Sequence, residues 1–255
     1  MNKIVSMADN STVYDVAKVT PLSIAVQISE RFGNQIYLKR EDEQSIHSFK
    51  LRGAYQKMSS LSDVQKIKGV VASSAGNHAQ GVALSAKKLK IRAVIVMPIS
   101  TPKIKVQAVQ QLGAEVILHG DVYDDAFQHA NKLCSEQDLN FIHPYDDIDV
   151  IAGQATVAKE ILSQLEDVDL VFVPVGGGGL ISELLAKIKA EVTGIDENIY
   201  NIKEAKEHAK KNSLKIVYIN QSLDLFSKKN KKKFDLILCL EVLEHVDNVE
   251  ETLKK

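Results

Sequence analysis

Cysteine is scarce in this sequence, which contains only Cys134 and Cys239. The two lie far apart and form no C-x-x-C pair, so a disulfide scaffold and a thiolate zinc site are disfavoured, and a reducing compartment such as the cytoplasm is favoured. Glycine and proline are also few, at 13 and 5 of 255 residues, which excludes collagen-like and low-complexity chains. What is left is the composition of a globular protein with enough chain to bury a sizeable core.

The sequence also lacks an excess of charge of either sign. Lys and Arg total 32 against 33 Asp and Glu, for a net charge of -1, so no global field recruits nucleic acid or an anionic membrane. No apolar run approaches the ~20 residues that span a bilayer, and residues 1–10 lack the apolar stretch of a signal peptide. We therefore expect a soluble, cytoplasmic protein that binds neither nucleic acid nor membrane.

From residue 35 onward, short β-branched runs alternate with longer stretches of helical periodicity. The predicted strands are Gln35–Lys39, Gly69–Ala72, Ala93–Met97, Glu115–Leu118, Asp169–Val175, Glu191–Ile195, Lys215–Ile219 and Phe234–Leu240. The predicted helices between them include His78–Leu89, Lys103–Leu112, Asp121–Cys134 and Val150–Leu165. This alternation predicts an α/β fold with mostly parallel sheets, whose strands are apolar on both faces.

Three clusters could carry chemistry. Lys50 sits at a predicted loop-to-helix junction, the small residues Ser73–Gly76 precede Asn77 and His78 at the start of a helix, and Gly176–Gly179 follow a predicted strand directly. Glycines let the backbone approach a ligand, and a helix N-terminus presents free N–H groups with positive dipole character. In these strand–loop–helix contexts the clusters favour a phosphate-bearing cofactor.

Each cluster also has a purely structural interpretation, which spacing alone leaves open. Lys50 could be an ordinary surface charge, and Asn77 could simply cap its helix. His78 could be a solvated residue of the first helical turn, and the four glycines could form only a tight turn. We assign no catalytic role to His78 or to Arg52.

Several motifs resemble threonine dehydratase, the threonine ammonia-lyase branch of the fold-type II pyridoxal-phosphate enzymes. The matching motifs are YLKRED at residues 37–42, SFKLRGA at 48–54, SAGNHAQG at 74–81 and VPVGGGGL at 173–180. The resemblance covers residues 15–182. It implies a fold-type II architecture of parallel sheets with flanking helices, and a lyase of amino-acid metabolism in isoleucine biosynthesis. It also implies a homo-oligomer, because oligomers are common in that family.

The resemblance also implies site residues. Lys50 would hold pyridoxal 5'-phosphate as a Schiff base and, once released, remove the Cα proton of the substrate. Phe49 would pack beside the cofactor ring, Asn77 would bind its ring hydroxyl, and Ser74 would receive the carboxylate of a small amino-acid substrate. The cofactor phosphate would be cradled by Gly176, Gly177, Gly178 and Gly179. The implied reaction is loss of water from L-threonine or L-serine, giving a 2-keto acid and ammonia.

From residue 181 to residue 255 the sequence resembles a different family, the S-adenosylmethionine-dependent O-methyltransferases of ubiquinone synthesis. The resemblance rests on Glu191–Asp196 and Phe234–Val246. It implies that Asp196, which ends a predicted strand, would bind ribose hydroxyls, with Gly177 and Gly179 beside the cofactor. We therefore predict a threonine-dehydratase-like region at residues 1–182 and a partial, Rossmann-like methyltransferase segment at 183–255, joined near the shared glycines.

Three hypotheses follow for this chimeric sequence. The leading one is a pyridoxal-phosphate lyase acting on threonine or serine, and the alternative is an S-adenosylmethionine-dependent methyltransferase fragment. The third is an inactive fusion, because each region lacks parts that its family has. Poorly matched core surfaces cost several kcal/mol, so we expect a fold of reduced stability.

Overall fold

The structure is a computed structural model that describes residues 2–166, 168, 192–211, 216–222, 225, 226 and 228. Its helices are α1 (Asn2–Asp9), α2 (Val26–Phe32), α3 (Lys50–Ser59), α4 (Asp63–Lys68), α5 (Asn77–Leu89), α6 (Lys103–Gln111), α7 (Tyr123–Glu136), α8 (Ile148–Gln164) and α9 (Ile199–Lys211). Its strands are β1 (Leu22–Ile24), β2 (Tyr37–Lys39), β3 (Val70–Ser73), β4 (Ala93–Met97), β5 (Glu115–Leu118), β6 (Asn140–Phe141), β7 (Val192–Asp196) and β8 (Ile216–Asn220). The predicted strands 169–175 and 234–240 lie outside the described residues, as does Cys239. None of the described helices combines the length and the apolar character needed to cross a membrane.

Within the described residues, the central sheet has four parallel strands in the order β5-β4-β3-β6. The predicted α/β architecture with a parallel sheet is confirmed, and β4 and β5 have the predicted bounds. Strand β6 was not predicted, because its two residues are too few to show any periodicity.

Helices cover both faces of this sheet, as in other parallel sheets. One face of β3 and β4 packs against α3, α5 and α6, with Ala54, Val82 and Val109 among the buried contacts. The other face packs against α7 through Ala126 and Ala130. Every residue of β3 and β4 is buried, which explains why these strands are apolar on both faces.

The remaining strands form two small sheets. Strand β2 lies within the predicted strand Gln35–Lys39 and pairs antiparallel with β1. Strand β1 itself was not predicted. Strands β7 and β8 pair in parallel, each one residue later along the chain than predicted, and α9 buries Ile202 and Ala205 with Tyr218 of β8. Helix α9 also reaches the main body, because the Tyr145 hydroxyl donates a hydrogen bond to Glu204 over 3.0 Å.

The strand order creates a topological switch point in the central sheet. The chain runs from β3 to β4 to β5 in one direction and then returns to place β6 on the opposite side of β3. In open α/β sheets, ligands bind in the crevice at the carboxyl ends of the strands where the order reverses. The residues after β3 and β6 therefore occupy the place where this fold builds its site.

Glycines allow α3 to lie very close to its two neighbouring helices. A Cβ on Gly153 of α8 would lie 2.7 Å from Gln56 Cβ and would clash with the Arg52 carbonyl oxygen, both on α3. A Cβ on Gly81 of α5 would lie 3.2 Å from the Lys50 carbonyl oxygen. These contacts hold the first turn of α3 between α5 and α8.

Alanine at residue 153 is expected to force α3 and α8 apart and destabilise the protein by about 1–3 kcal/mol, as overpacking of a well-packed core does. Gly81→Ala should cost less, because its contacts need to shift by only a few tenths of an ångström. Urea unfolding followed by circular dichroism measures both losses. Ser163→Ala, at an exposed site on α8, is the control. Equal stability of Gly153→Ala and this control would contradict the close packing.

Candidate functional site

Lys50 lies at the first residue of α3, directly after Phe49, the N-cap. The Ser48 hydroxyl accepts a hydrogen bond from the Lys50 backbone N–H over 3.3 Å. The Lys50 Nζ donates to the Pro144 carbonyl oxygen over 3.4 Å and lies 5.3 Å from the centre of the Phe49 ring. Lys50 is half-buried, which differs from an ordinary surface charge.

The loop after β3, Ser74–Asn77, lies at the carboxyl edge of the sheet. The Ser74 backbone N–H donates to the Val96 carbonyl over 3.2 Å, and the Gly76 N–H donates to the Ser74 hydroxyl over 3.2 Å. The loop residues are half-buried, and a Cβ on Gly76 would meet no atom within 4 Å. The loop therefore borders open space. Helix α5 begins at Asn77 with Gly76 as its N-cap.

The packing of α5 on α3 brings Lys50 close to this loop. Gly81, on which a Cβ would lie 3.2 Å from the Lys50 carbonyl oxygen, lies one helical turn after Asn77. The Lys50 amine reaches the segment after β6 at Pro144 and acts electrostatically on His78, which directly follows the Ser74–Asn77 loop, so Lys50 and this loop border the switch point between β3 and β6. The sequence-predicted residues Gly176, Gly177, Gly178 and Gly179 lie outside the described residues.

His78 is buried, so its interpretation as a solvated first-turn residue is wrong. Only 4% of the residue is exposed, and its Nε2 lies 3.0 Å from the Ile142 carbonyl oxygen. Burial, with the neighbouring charges of Lys50 and His143, lowers the pKa of His78 to about 3 although the bond to Ile142 opposes this shift. The sequence did hold a signal, since His78 precedes the buried Val82 by four residues on one helical face.

Residues 142–146, which follow β6, form the other wall of the site and were missed by the sequence analysis. His143 Nδ1 accepts hydrogen bonds from the backbone N–H groups of Tyr145 and Asp146, over 3.3 and 2.8 Å. The rings of His143 and Tyr145 meet edge to face at 4.6 Å. Burial and the nearby Glu204 carboxylate raise the pKa of Tyr145, which therefore stays a neutral donor. Only the pairing of β6 with β3 brings this segment to Lys50, so no local pattern could have revealed it.

Arg52 belongs to a buried network of charges behind the site. Its guanidinium donates to Glu41 over 2.8 Å and to Glu160 over 2.6 Å, and it is fully buried. Lys39 also donates to Glu160 over 2.6 Å, so two cations face two carboxylates. Burial raises the pKa of Glu160, but Arg52 and Lys39 outweigh it and the net shift is downward. The network joins β2, α3 and α8 through Lys39, Arg52 and Glu160. Arg52 lies two residues after Lys50 on α3.

The described residues fit the cofactor that the sequence resemblance implies. They offer a primary amine, an aromatic ring packed beside it, open space over Gly76 and a buried Ser73 hydroxyl that finds no hydrogen-bond partner in the described part of the chain. The N-terminus of α5 favours an anion at the same edge. Within the described ranges, no group of three or more acidic, histidine or cysteine side chains converges as a metal site would require.

Comparison with known proteins agrees with this arrangement. The chain is 55% identical over 180 residues to the biosynthetic L-threonine dehydratase of Pasteurella multocida, covering 71% of this chain and 35% of that protein. It is 56% identical over 181 residues to the chloroplastic biosynthetic threonine dehydratase of Arabidopsis thaliana, covering 71% and 31%. The chain therefore spans about a third of the length of these curated relatives.

Solved structures resemble a larger part of the chain. The processed form of threonine deaminase isoform 2 from Solanum lycopersicum matches with a TM-score of 0.76 and 36% identity, covering 98% of this chain and 76% of that one. Maize serine racemase matches with a TM-score of 0.72 and 29% identity, covering 84% and 66%. A family model for pyridoxal-phosphate dependent enzymes matches residues 13–224, well past residue 182, where the sequence-based resemblance ends. The chain belongs to the family of pyridoxal-phosphate dependent enzymes.

Proposed function

We propose that this chain deaminates L-threonine or L-serine by loss of water, giving a 2-keto acid and ammonia. The observation that carries the proposal is the position of the half-buried Lys50 amine, which donates to the Pro144 carbonyl after β6 and acts electrostatically on His78, the residue that directly follows the Ser74–Asn77 loop. The threonine dehydratases, which the chain matches at 55% and 56% identity, support the same reaction.

In this proposal Lys50 has two tasks. Lys50 would hold pyridoxal phosphate through its Nζ and would take the proton from the substrate Cα at the same atom, which requires a primary amine in neutral form. Phe49 limits the positions that the amine can take, because its ring lies 5.3 Å from Nζ. Pyridoxal phosphate, when bound, supplies an electron-withdrawing ring that accepts electron density from the Cα–H bond.

The loop after β3 orients the substrate. The Ser74 hydroxyl and backbone N–H groups at the start of α5 bind the substrate carboxylate, since both are donors in a region of positive dipole character. Asn77 holds the ring hydroxyl of the cofactor from the first residue of α5. We propose that Gly176, Gly177, Gly178 and Gly179 cradle the phosphate, because backbone N–H groups of such a loop can approach it closely.

A visible absorbance titration of the whole chain with pyridoxal phosphate tests the cofactor site, and a keto-acid assay with L-threonine and L-serine tests the reaction. We expect a saturable band, followed by 2-oxobutyrate or pyruvate in step with ammonia. The D-isomers serve as control substrates. Absence of the band would overturn the cofactor site, and a band without keto acid would overturn the reaction.

Among the described residues, the methyltransferase alternative for residues 183–255 rests on Asp196. This residue ends β7, as the resemblance requires. Its carboxylate already accepts hydrogen bonds from the Asn198 N–H and the Asn201 side chain, over 2.7 and 2.9 Å. Calorimetry with S-adenosylhomocysteine tests this alternative, and absence of heat at millimolar ligand would remove it.

The boundary at residue 182, the cytoplasmic location and a homo-oligomer stay predictions.

The inactive-fusion hypothesis has its own readout. A fusion without a consistent core should melt without cooperativity and bind hydrophobic dyes, because poorly packed apolar surface stays accessible. A single cooperative thermal transition of the whole chain would remove this hypothesis.

A further inference from the structure

His78 is a buried histidine whose hydrogen bonding defines its protonation state. Its Nε2 lies 3.0 Å from the Ile142 carbonyl oxygen. Because a carbonyl oxygen only accepts, Nε2 must carry the hydrogen. The other ring nitrogen, Nδ1, is buried and has no hydrogen-bond partner among the described residues.

The geometry requires a neutral ring. Protonation would place a second N–H on Nδ1, where a buried donor without an acceptor is costly. The charged and titratable groups that act on the ring are Lys50 and His143. A second positive charge beside Lys50 would add repulsion, so the neutral form is favoured by both effects.

The His78 bond connects the two walls of the site. On one side, His78 directly follows the Ser74–Asn77 loop at the start of α5. On the other side, Ile142 lies two residues before Pro144, whose carbonyl oxygen accepts from Lys50 Nζ over 3.4 Å. A continuous series of contacts therefore runs from the loop, through His78 and Ile142, to the Lys50 amine.

We propose that His78 is a positioning residue, whose Nε2–H bond to the Ile142 carbonyl holds the Ser74–Asn77 loop in register with the Lys50 amine. This inference rests on the proposed function, in which that loop binds the substrate carboxylate. Small displacements are costly in such a site, since a shift of about 1 Å can lower a rate by about 10²-fold.

Three substitutions of His78 distinguish the contribution of Nε2 from that of Nδ1. In His78→Gln the side-chain NH₂ falls near the position of Nε2, so the donor to Ile142 is kept and Nδ1 is lost. In His78→Asn the shorter amide mimics Nδ1 and cannot reach Ile142, and in His78→Leu both nitrogens are lost. His129→Gln is the matched control, because His129 lies on α7 and stacks on His119, with ring centres 4.0 Å apart.

For the loaded enzyme we expect a selective effect on the amino-acid substrate. His78→Asn and His78→Leu should raise KM about tenfold or more, in line with the cost of misplaced groups, while the Lys50-dependent absorbance band persists. His78→Gln and His129→Gln should keep the wild-type KM. A merely structural role would instead lower stability without this split between the Gln and Asn variants.

Hydrogen exchange on the chain without cofactor gives an independent readout. The amides of Ser74, Gly76 and Gln80 donate to Val96, Ser74 and Gly76 respectively. We expect the peptide 74–80 to exchange faster in the Asn and Leu variants and at the wild-type rate in the Gln and His129→Gln proteins. Equal exchange in all three His78 variants would overturn the proposal. Wild-type exchange in His78→Asn together with faster exchange in His78→Gln would also overturn it.

The two proposals fail in different ways. If wild-type protein shows no Lys50-dependent band, the proposed function fails, and the exchange pattern alone decides whether His78 holds the loop. If the band and turnover are present but the Gln and Leu variants have the same KM, the proposed function stands and the positioning role fails.

Discussion

Replacing Lys50 by alanine is expected to remove the visible band of the bound cofactor and to lower turnover of L-threonine by about 10³-fold or more, as loss of a covalent nucleophile does. The fold should survive, because the Lys50 side chain is only half-buried and its hydrogen bond to the Pro144 carbonyl oxygen is long, at 3.4 Å. Absorbance titration and a keto-acid assay measure the two effects, and a thermal melt checks the fold.

Two further variants make this test specific. Lys50→Arg keeps the positive charge and the length of the side chain, but a guanidinium is neither a nucleophile nor a base near neutral pH. It should therefore be as inactive as Lys50→Ala. Lys103→Ala, at an exposed position on α6, should behave as wild type. Turnover in Lys50→Arg would show that only the charge is needed and would contradict the proposed role.

Replacing Arg52 by methionine is expected to destabilise the protein by about 3–5 kcal/mol, because it leaves a buried charge uncompensated. Glu41 and Glu160 would lose their shared partner, and Lys39 alone would face both carboxylates. Arg92→Met is the matched control, since Arg92 pairs with Glu115 over 2.8 Å on the surface, where such a pair contributes about 0–1 kcal/mol. Urea unfolding measures both, and equal losses would contradict the role of the network.

The deficit of Arg52→Met should shrink as the pH falls. In the native protein the pKa of Glu160 is lowered, because Arg52 and Lys39 outweigh the effect of burial. A lowered pKa contributes stability above the unfolded value, and this contribution is lost as the pH falls through the folded value. Without Arg52, burial is less opposed and Glu160 takes up a proton at higher pH, which removes the uncompensated charge. A deficit that is constant from pH 7 to acid would contradict this account.

Local patterns predicted the central strands well. Ala93–Met97 and Glu115–Leu118 have their predicted bounds because each is a short β-branched run between polar turns. The helix start at Asn77 was predicted within one residue, since small residues after a strand mark the junction. Strand β1 and strand β6 were not predicted, because segments of three and two residues contain too little periodicity.

Some site residues could likewise be proposed from local patterns, whereas others depend on distant partners. Lys50, Phe49, Ser74 and Asn77 could be proposed because motif resemblance and position at a loop-to-helix junction are both local properties of the chain. The role of Arg52 could not, because its partner Glu160 lies 108 residues away along the sequence. The interpretation of His78 as a solvated first-turn residue was wrong, although its spacing from Val82 carried a signal of burial, and no local pattern could show what its ring would meet.

The sequence by itself therefore determined the α/β class and the strands β3, β4 and β5 of the central sheet, and it supplied the candidate residues for cofactor chemistry. Only the tertiary structure decided that β6 pairs with β3 on the side away from β4. That pairing sets Ile142 against His78 and Pro144 against Lys50. The physical reason is that periodicity and capping act over a few residues, whereas strand order depends on which distant segments bury each other's surfaces.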